Sequence, residues 1–405
     1  MKVMVMGAGA IGSVTATVLA KSKVVDEIVV AARRGEQARA LAKKIGKKHV
    51  TAKELDADRV PDMVKAFKGF DMIVNLVLPR FNMKIMEACL KAGVHYTDTA
   101  TDLALAKEKA GDVVKRTPEQ IQLDLDDDWK DAGLSALLGW GCDPGLSNIF
   151  ARYGADRLDK VEYIKVRDGD NSVIEGYDFA SMWSADTLIE EVQMDALAFY
   201  DGKFVRVGTA KGEEVYPFPP PVGPQTVYNV DHEEQNTLPL FIGKGMRNMD
   251  FKLSLPKEFA QFVALAKKWG MTSAEPIEVR SKFHNTRVKV APRDVLTALL
   301  PVPTELGANV SGATCIGSEV VGEKNGKRTG WFIYTLMDHQ DTWKKFGFNA
   351  VAYTTGAPPV VGIEMFGRKE ITRRGVFPPE LLDPVPILKH MPDVGVPWFE
   401  QPVRV

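Results

Sequence analysis

The sequence predicts an α/β fold in which a doubly wound parallel sheet is followed by a second, α+β domain. Up to Gly145, short apolar runs alternate with helical stretches, as expected for parallel strands joined by helical crossovers. Beyond Gly145 the apolar residues alternate in steps of two, which is typical of half-buried strands. The length of 405 residues accommodates about two domains.

The first predicted strand, Met1 to Met6, leads directly into a glycine-rich turn with the spacing G-x-G-x-x-G. The predicted helix Ile11–Ala20 follows, so the turn lies where dinucleotide-binding proteins hold a pyrophosphate. The first glycine permits the tight turn, the second admits the pyrophosphate, and the third lets the helix pack on the strand. We therefore predict a dinucleotide site formed by Gly7, Gly9, Ala10, Ile11 and Gly12.

The second predicted strand, Glu27–Ala32, is followed by Arg33 and Arg34. An Asp or Glu at this point would bind the ribose 2′-hydroxyl of NAD, whereas arginine suits a 2′-phosphate. The sequence therefore favours NADP(H). The alternative is that both arginines are solvated residues at the start of a helix.

The remaining elements of the first domain continue the alternation, and their ends indicate the ligand side. They are the helices Glu36–Ile45, Pro61–Phe67 and Asn82–Ala92 and the strands Asp71–Val77, Val94–Thr97 and Ser135–Gly139. Ligands of such sheets bind beyond the carboxyl ends of the strands. The residues selected by this rule are Leu78, Pro79, Arg80, Asp98, Gly141, Cys142 and Asp143.

The second domain is predicted from a helix, Leu146–Leu158, and several alternating segments. Two of these segments, Cys315–Val321 and Thr329–Leu336, flank Asn325-Gly326, a strong signal for a hairpin turn. The last part of the chain is predicted to be helical over Val360–Phe366 and then rich in proline, and it could return to cover the first domain.

The composition and charge of the chain limit the classes of function that it can have. The net charge of −1 and the absence of charge runs predict neither a nucleic-acid partner nor a membrane surface, and no apolar run approaches a membrane span. We expect a cytoplasmic protein, because the glycine turn begins too early to follow a signal peptide. Cys89, Cys142 and Cys315 show neither a disulfide pattern nor metal-ligand spacing, so no metal site is predicted.

Several motifs are distributed along the whole chain. They are the glycine turn, Leu78-Pro79 with Asn82, Tyr96-Thr97-Asp98-Thr99, Leu138 to Gly145, Leu299 to Thr304, Thr314 to Gly317 and Tyr353 to Gly356. Together these motifs resemble the saccharopine dehydrogenase-like superfamily, and most closely its carboxynorspermidine dehydrogenase branch. In contrast, the run 291–296 resembles lysine 6-dehydrogenase and saccharopine reductase. The chain departs from the carboxynorspermidine dehydrogenase pattern at 171–176 and 252–257.

The resemblance implies a Rossmann-like NADP-binding domain, residues 1–145 completed by 353–405, and an inserted α+β domain, 146–352, for substrate and dimer contacts. It implies an NADP(H)-dependent reductive condensation of an amine with a semialdehyde, in a cleft between the domains of a homodimer. The alternatives are oxidative deamination of the lysine 6-dehydrogenase type and a dinucleotide-binding protein without catalytic activity.

Imine chemistry needs a proton relay and a carboxylate near the iminium carbon. Asp98 and Asp143 follow strands that end at the ligand side, although each could instead form a cap or turn. His232 has the most suitable intrinsic pKa, and its acidic neighbours, residues 231, 233 and 234, would suit an ammonium group. Arg80 and Arg247 are the candidates for binding a substrate carboxylate.

Overall fold

The computed structural model describes residues 1–101 and 118–405, which form 20 strands and 15 α-helices. The strands are β1 Lys2–Met6, β2 Glu27–Ala32, β3 Val50–Glu54, β4 Met72–Asn75, β5 His95–Asp98, β6 Ser135–Leu137, β7 Lys160–Asp170, β8 Val173–Ile174, β9 Ala196–Tyr200, β10 Lys203–Gly208, β11 Glu214–Pro217, β12 Pro224–Asn229, β13 Asn248–Ser254, β14 Ile277–Arg280, β15 Arg287–Val290, β16 Val310–Ser311, β17 Ala313–Lys324, β18 Lys327–Asp338, β19 Gly375–Phe377 and β20 Phe399–Pro402. The helices are α1 Ala10–Leu19, α2 Gly35–Ile45, α3 Val60–Phe67, α4 Asn82–Ala92, α5 Pro118–Leu123, α6 Asp126–Asp131, α7 Leu146–Asp156, α8 Ala185–Gln193, α9 Glu234–Phe241, α10 Lys257–Lys268, α11 Pro292–Ala298, α12 His339–Phe346, α13 Ala350–Gly356, α14 Pro358–Gly367 and α15 Pro384–His390.

The first sheet has seven parallel strands in the order β3-β2-β1-β4-β5-β6-β19. The order reverses at β1 and β4, which is the topological switch point of a doubly wound sheet. Apolar clusters cover both faces, one around Val3 and Val5 and the other around Met4 and Met6. The predicted Rossmann-like fold is confirmed.

The second sheet is mixed, in the order β10-β9-β13-β7-β17-β18-β20, with β12 also pairing with β13 and β11 with β12. Its long hairpin of β17 and β18 turns at Asn325-Gly326, where both residues have positive φ, at 50° and 71°. The predicted hairpin and mixed domain are thereby confirmed. The C-terminal part of the chain contributes β19 to the first sheet and β20 to the second.

The first sheet differs from the sequence prediction at one predicted strand and at one strand that was missed. The strand predicted over Asp71–Val77 ends at Asn75, because the next residues turn toward a cavity and line it. The edge strand β3 was not predicted, because its sequence Val-Thr-Ala-Lys-Glu is largely exposed and carries little apolar signal. Within the described residues, no helix is long and apolar enough to cross a bilayer.

Candidate active site

A cavity of about 450 Å³ lies between the two sheets, where the carboxyl ends of β1, β2 and β4 face the second domain. Residues from both domains form its wall. From the first domain these include Gly7, Gly9, Ile11, Arg33, Arg34, Leu78, Pro79, Arg80 and Asp143, and from the second Asp168, Trp183, Glu191, His232, Glu233 and Phe251.

The glycine turn has the geometry that dinucleotide binding requires. Gly7 has φ of +113°, and a Cβ there would lie 2.4 Å from the carbonyl oxygen of Leu76. A Cβ at Gly12 would lie 2.1 Å from the carbonyl oxygen of Gly7, whereas a Cβ at Gly9 would meet no atom within 4 Å. Gly7 and Gly12 therefore allow close packing of the backbone, while Gly9 leaves space in the cavity wall for a pyrophosphate.

The nucleotide end of the cavity carries three arginines. Arg33 and Arg34 are exposed side chains beyond β2, and Arg80 lies in the short helical turn Pro79–Phe81 with its guanidinium 5.0 Å from the ring centre of Phe81. Asp56, which follows β3, also lines the wall. Since β3 was not predicted from the sequence, this carboxylate was not foreseen either.

His232 is buried in the wall of the cavity that belongs to the second domain. Its Nδ1 lies 2.5 Å from Oε2 of Glu234 and 3.4 Å from Oε2 of Glu233. Burial alone would lower the pKa of His232, but the carboxylates of Glu234 and Glu233 outweigh it and raise this pKa well above its ordinary value. Because Glu234 is bonded to Nδ1, Nε2 is the ring nitrogen that can exchange a proton with a ligand.

The two neighbours that position His232 are themselves held in place. The Ser147 hydroxyl donates to Glu234 at 2.6 Å, and the backbone N–H of Thr101 donates to Glu233 at 2.6 Å. His232, Glu233 and Glu234 each bring one possible metal-ligand atom within 4.8 Å of the others, a proximity that sequence spacing did not indicate. Within this trio, one hydrogen bond joins His232 to Glu234.

Besides Glu234, four carboxyl groups lie near His232, and each of these four has a raised pKa. Burial raises the pKa of Asp168 and of Glu233 to about 7 and that of Glu191 to about 8. Asp143 and Asp168 share a hydrogen bond, and burial together with the charge of Asp168 raises the pKa of Asp143 well above its ordinary value. These groups can exchange protons near neutral pH, as acid/base chemistry requires.

The structure does not bring Asp98 to the cavity. Its carboxylate is buried behind the sheet edge, where Oδ1 accepts from the N–H of Gly139 and Oδ2 accepts from Tyr96, Gln122 and Asn82. Burial raises the pKa of Asp98 to about 6 despite these bonds. This geometry favours a structural role, closer to the turn-forming alternative than to catalysis.

Other predicted residues also lie outside the cavity wall. Ala10, Gly12, Gly141 and Cys142 do not line it, and burial raises the pKa of the Cys142 thiol well above its ordinary value. Arg247 is 65% exposed and faces Asp201 at 3.5 Å, at the far side of the second domain. Leu78 and Pro79 do line the cavity, as predicted.

Sequence reasoning missed Asp168 and Glu191. Asp168 lies on β7, and Glu191 lies on α8 among charged residues that look like a solvated helix face. Only the packing of β7 and α8 against the segment that carries His232, all within the second domain, brings both beside His232. No local motif marks either residue.

Comparison with known proteins gives matches along the whole chain. The family models described as the saccharopine dehydrogenase NADP binding domain and C-terminal domain match residues 3–137 and 141–396. Carboxyaminopropylagmatine dehydrogenase from Synechocystis is 32% identical over 98% of this chain and 97% of its own length, and carboxynorspermidine synthase from Vibrio cholerae is 32% identical over 98% and 96%. The solved structure of apo saccharopine dehydrogenase (L-Glu forming) from Saccharomyces cerevisiae covers 100% of both chains with a TM-score of 0.72 at 17% identity.

The fold and this cavity define an oxidoreductase that uses a nicotinamide dinucleotide. The family models and the full-length relatives show that the chain belongs to the saccharopine dehydrogenase family. It is a dehydrogenase acting on CH–NH donors.

Proposed function

We propose that the protein uses NADPH to reduce the imine formed between an amine and a semialdehyde, in a reductive condensation of the carboxynorspermidine or saccharopine dehydrogenase type. The observation that carries this proposal is the position of His232, which faces the cavity beside Asp143, Asp168, Glu191 and Glu233. The two relatives at 32% identity are named for carboxyaminopropylagmatine and carboxynorspermidine, which supports an amine substrate.

The chemistry of these groups fits the successive proton transfers. An alkylammonium has a pKa of about 10.4 and must lose a proton before it attacks an aldehyde. A carboxylate of raised pKa, such as Asp168 or Glu191, can accept this proton. Loss of water from the carbinolamine needs a proton donor, and His232 is protonated at neutral pH because its pKa is raised. The resulting iminium charge is stabilised by the remaining carboxylates.

The cofactor supplies the hydride for the imine carbon when it is bound. Gly7 and Gly9 form the turn that would hold its pyrophosphate, and the open space at Gly9 fits this group. We propose Arg33 and Arg34 as ligands of the 2′-phosphate, since both side chains are exposed to the cavity. Arg80, the candidate from the sequence for a substrate carboxylate, lies instead at the nucleotide end with Arg33 and Arg34, where it would add to the positive charge around the 2′-phosphate.

Neither alternative function gains support from the structure. The run 291–296, which resembles lysine 6-dehydrogenase, spans the start of helix α11 and does not line this cavity. A dinucleotide-binding protein without catalytic activity should lack a pocket in its second domain near the nicotinamide. Instead, residues of that domain, including His232, form much of the wall.

We also propose that the protein is a homodimer. Helix α10, the hairpin β14–β15 and helix α11 follow one another along the chain, and each exposes large apolar side chains, which together we call the apolar flank. It consists of Phe262, Leu265, Trp269, Ile277, Val279, Phe283, Val288, Val295 and Leu299. A two-stranded hairpin is only marginally stable when it is uncovered, so a second copy of the chain is expected to pack on it.

The test of the proposed function is NADPH oxidation, followed by absorbance, with three substrate sets. These are aspartate semialdehyde with short diamines, 2-aminoadipate semialdehyde with glutamate, and lysine with NADP in the reverse direction. Turnover with an amine and a semialdehyde is the expected result. Turnover with lysine alone would instead support oxidative deamination, and no turnover with any set would contradict the proposal.

A further inference from the structure

A second cavity of about 390 Å³ lies beside the first. The two cavities share Asp168, Trp183, Leu253 and Val351 in their walls, so they are directly adjacent. A substrate whose reacting end lies beside His232 therefore has space in the second cavity for its other end.

The wall of the second cavity is acidic. Asp168, Asp170 and Asp178 line it, and no Lys, Arg or His is found among its described lining residues. Oδ2 of Asp170 lies 3.2 Å from Nε2 of His339, and Nδ1 of His339 accepts the N–H of Ala350 at 3.2 Å. Since Nδ1 accepts a hydrogen bond, Nε2 is the atom that donates to Asp170, and Oδ1 of Asp170 accepts the N–H of Ser172 at 2.7 Å.

An unpartnered polar atom is a second, independent sign of a ligand. Thr314 lines the cavity and is 1% exposed, yet its Oγ1 has no hydrogen-bond partner. Thr314 pairs with Asp170 across the register of β17 and β7, so the hydroxyl and the carboxylate belong to neighbouring strands. A buried hydroxyl without a partner is costly, and a donor on a ligand would satisfy it.

The segments that depart from the carboxynorspermidine dehydrogenase pattern contribute to this wall. Ser172, Val173 and Ile174 come from the first of them, and residues 253–256 come from the second. Of the acids near His232, Glu234 bonds to His232 and Asp231 pairs with Arg206 at 3.3 Å. The remaining carboxyl groups are those that the proposed function uses for proton transfer at the reacting end. The second cavity is thus the better place for the far end of a substrate.

We propose that the second cavity binds a cationic group, either ammonium or guanidinium, at the far end of the amine substrate. This inference rests on the proposed function. Asp170 and Asp178 would pair with the cation, Thr314 Oγ1 would accept from it, and the indole of Trp183 offers an aromatic face. An amine that ends in a carboxylate is repelled by the same acids.

The test compares kcat/KM for 1,3-diaminopropane, 1,4-diaminobutane and agmatine with that for propylamine and butylamine. We expect the amines with a far cation to be preferred by roughly 10-fold or more, since one charge-assisted hydrogen bond contributes about that much. The better of the diamines and agmatine identifies the cation as ammonium or guanidinium. Equal kcat/KM for diamines and monoamines would overturn the proposal.

Two variants test the residues. Asp178→Asn and Thr314→Val should each reduce the preference for the far cation several-fold, and Thr314→Val should not lower Tm, because its hydroxyl bonds to no protein group. Asp201→Asn, which alters an exposed acid outside both cavities, is the matched control and should keep the preference. A preference that survives both cavity variants would contradict the proposal.

Calorimetry separates this proposal from the proposed function. The NADP-saturated protein is titrated with 1,4-diaminobutane and with butylamine. If the diamine binds more tightly and Asp178→Asn reduces that advantage several-fold, the second cavity is supported even if no amine is turned over. Equal binding of the two amines would refute it, whatever the outcome of the turnover assays.

Discussion

The imidazole ring of His232 stacks on the phenyl ring of Phe251, with centroids 3.9 Å apart and planes 7° apart. The N–H of Phe251 is directed at Oε1 of Gln235, 3.3 Å away, which ties β13 to the start of helix α9. Stacking fixes the plane of the imidazole, and Glu234 fixes its Nδ1. The ring is therefore held in one orientation toward the cavity before any ligand binds.

His232→Asn should lower kcat by about 10²–10⁴-fold, the usual contribution of a positioned acid or base. NADPH binding should change little, because the glycine turn is untouched. Steady-state kinetics and a fluorescence titration with NADPH measure the two effects. His390→Asn, which removes an imidazole far from the cavity, is the control. A His232 variant with the kcat of the parent protein would exclude His232 as the proton donor.

Glu191→Gln should stabilise the protein at high pH. The pKa of Glu191 is raised from 4.5 to about 8, so the folded state binds more protons than the unfolded state between these values. The free energy of unfolding therefore falls as pH rises through this window, and neutral Gln removes that loss.

The measurement is Tm of the parent protein and of Glu191→Gln from pH 5 to pH 9. We expect equal values near pH 5 and a gain of a few degrees for Gln above pH 8, since ~1 kcal/mol corresponds to roughly 2–4 °C. Glu305→Gln, which changes an exposed carboxylate, should show no such trend. A gain that did not depend on pH would contradict the assignment.

Arg33→Ala and Arg34→Ala should each raise KM for NADPH by about 10-fold or more, because a charge-assisted bond to phosphate contributes roughly 1.5–3 kcal/mol. KM for NADH should stay nearly constant, since NADH lacks the 2′-phosphate. The matched control is Lys43→Ala, which removes one positive charge from the exposed face of α2 and should leave KM for NADPH unchanged. A parent protein that prefers NADH would contradict the proposed role of both arginines as ligands of the 2′-phosphate.

Gly9→Ala and Gly12→Ala should fail in different ways. Alanine at Gly9 meets open space, so Tm of the apoprotein should be kept while NADPH affinity drops. Alanine at Gly12 would collide with the carbonyl of Gly7 and should lower Tm markedly. Thermal unfolding and NADPH titration of both variants give the comparison. Equal effects on Tm would show that Gly9 has a packing role as well.

Phe283→Glu should convert the proposed dimer to a monomer, because Phe283 is 96% exposed at the tip of the apolar flank. Light scattering after size-exclusion chromatography measures the mass in solution. Val385→Glu changes an exposed apolar residue elsewhere and should leave the mass unchanged. A parent protein with the mass of one chain would refute the dimer.

The features predicted most accurately from the sequence are those that local residue chemistry determines. β2 and α4 have the predicted bounds, since each combines a strong apolar pattern with a clear stop, such as Gly93 in the left-handed conformation at the end of α4. His232 and Asp143 were predicted as site residues and do line the cavity. Their proton-transfer roles remain proposals.

The rest of the site depends on contacts between distant parts of the chain. Asp98 follows a strand at the correct edge, yet the side chains of Tyr96, Gln122 and Asn82 surround its carboxylate and keep it out of the cavity. Asp168 reaches the cavity only through the packing of β7 between β13 and β17. Neither outcome could be predicted from spacing along the chain.

The C-terminal strands β19 and β20 add to different sheets, and one apolar cluster joins Val14 and Val361 to Ile316 and Ile333 of the second sheet. Loss of structure in either domain would therefore remove part of this shared cluster. We expect the two domains to unfold together, so that the Tm of each variant reports on the whole molecule. Either domain produced alone would expose the apolar surface that it now shares, and we expect it to aggregate.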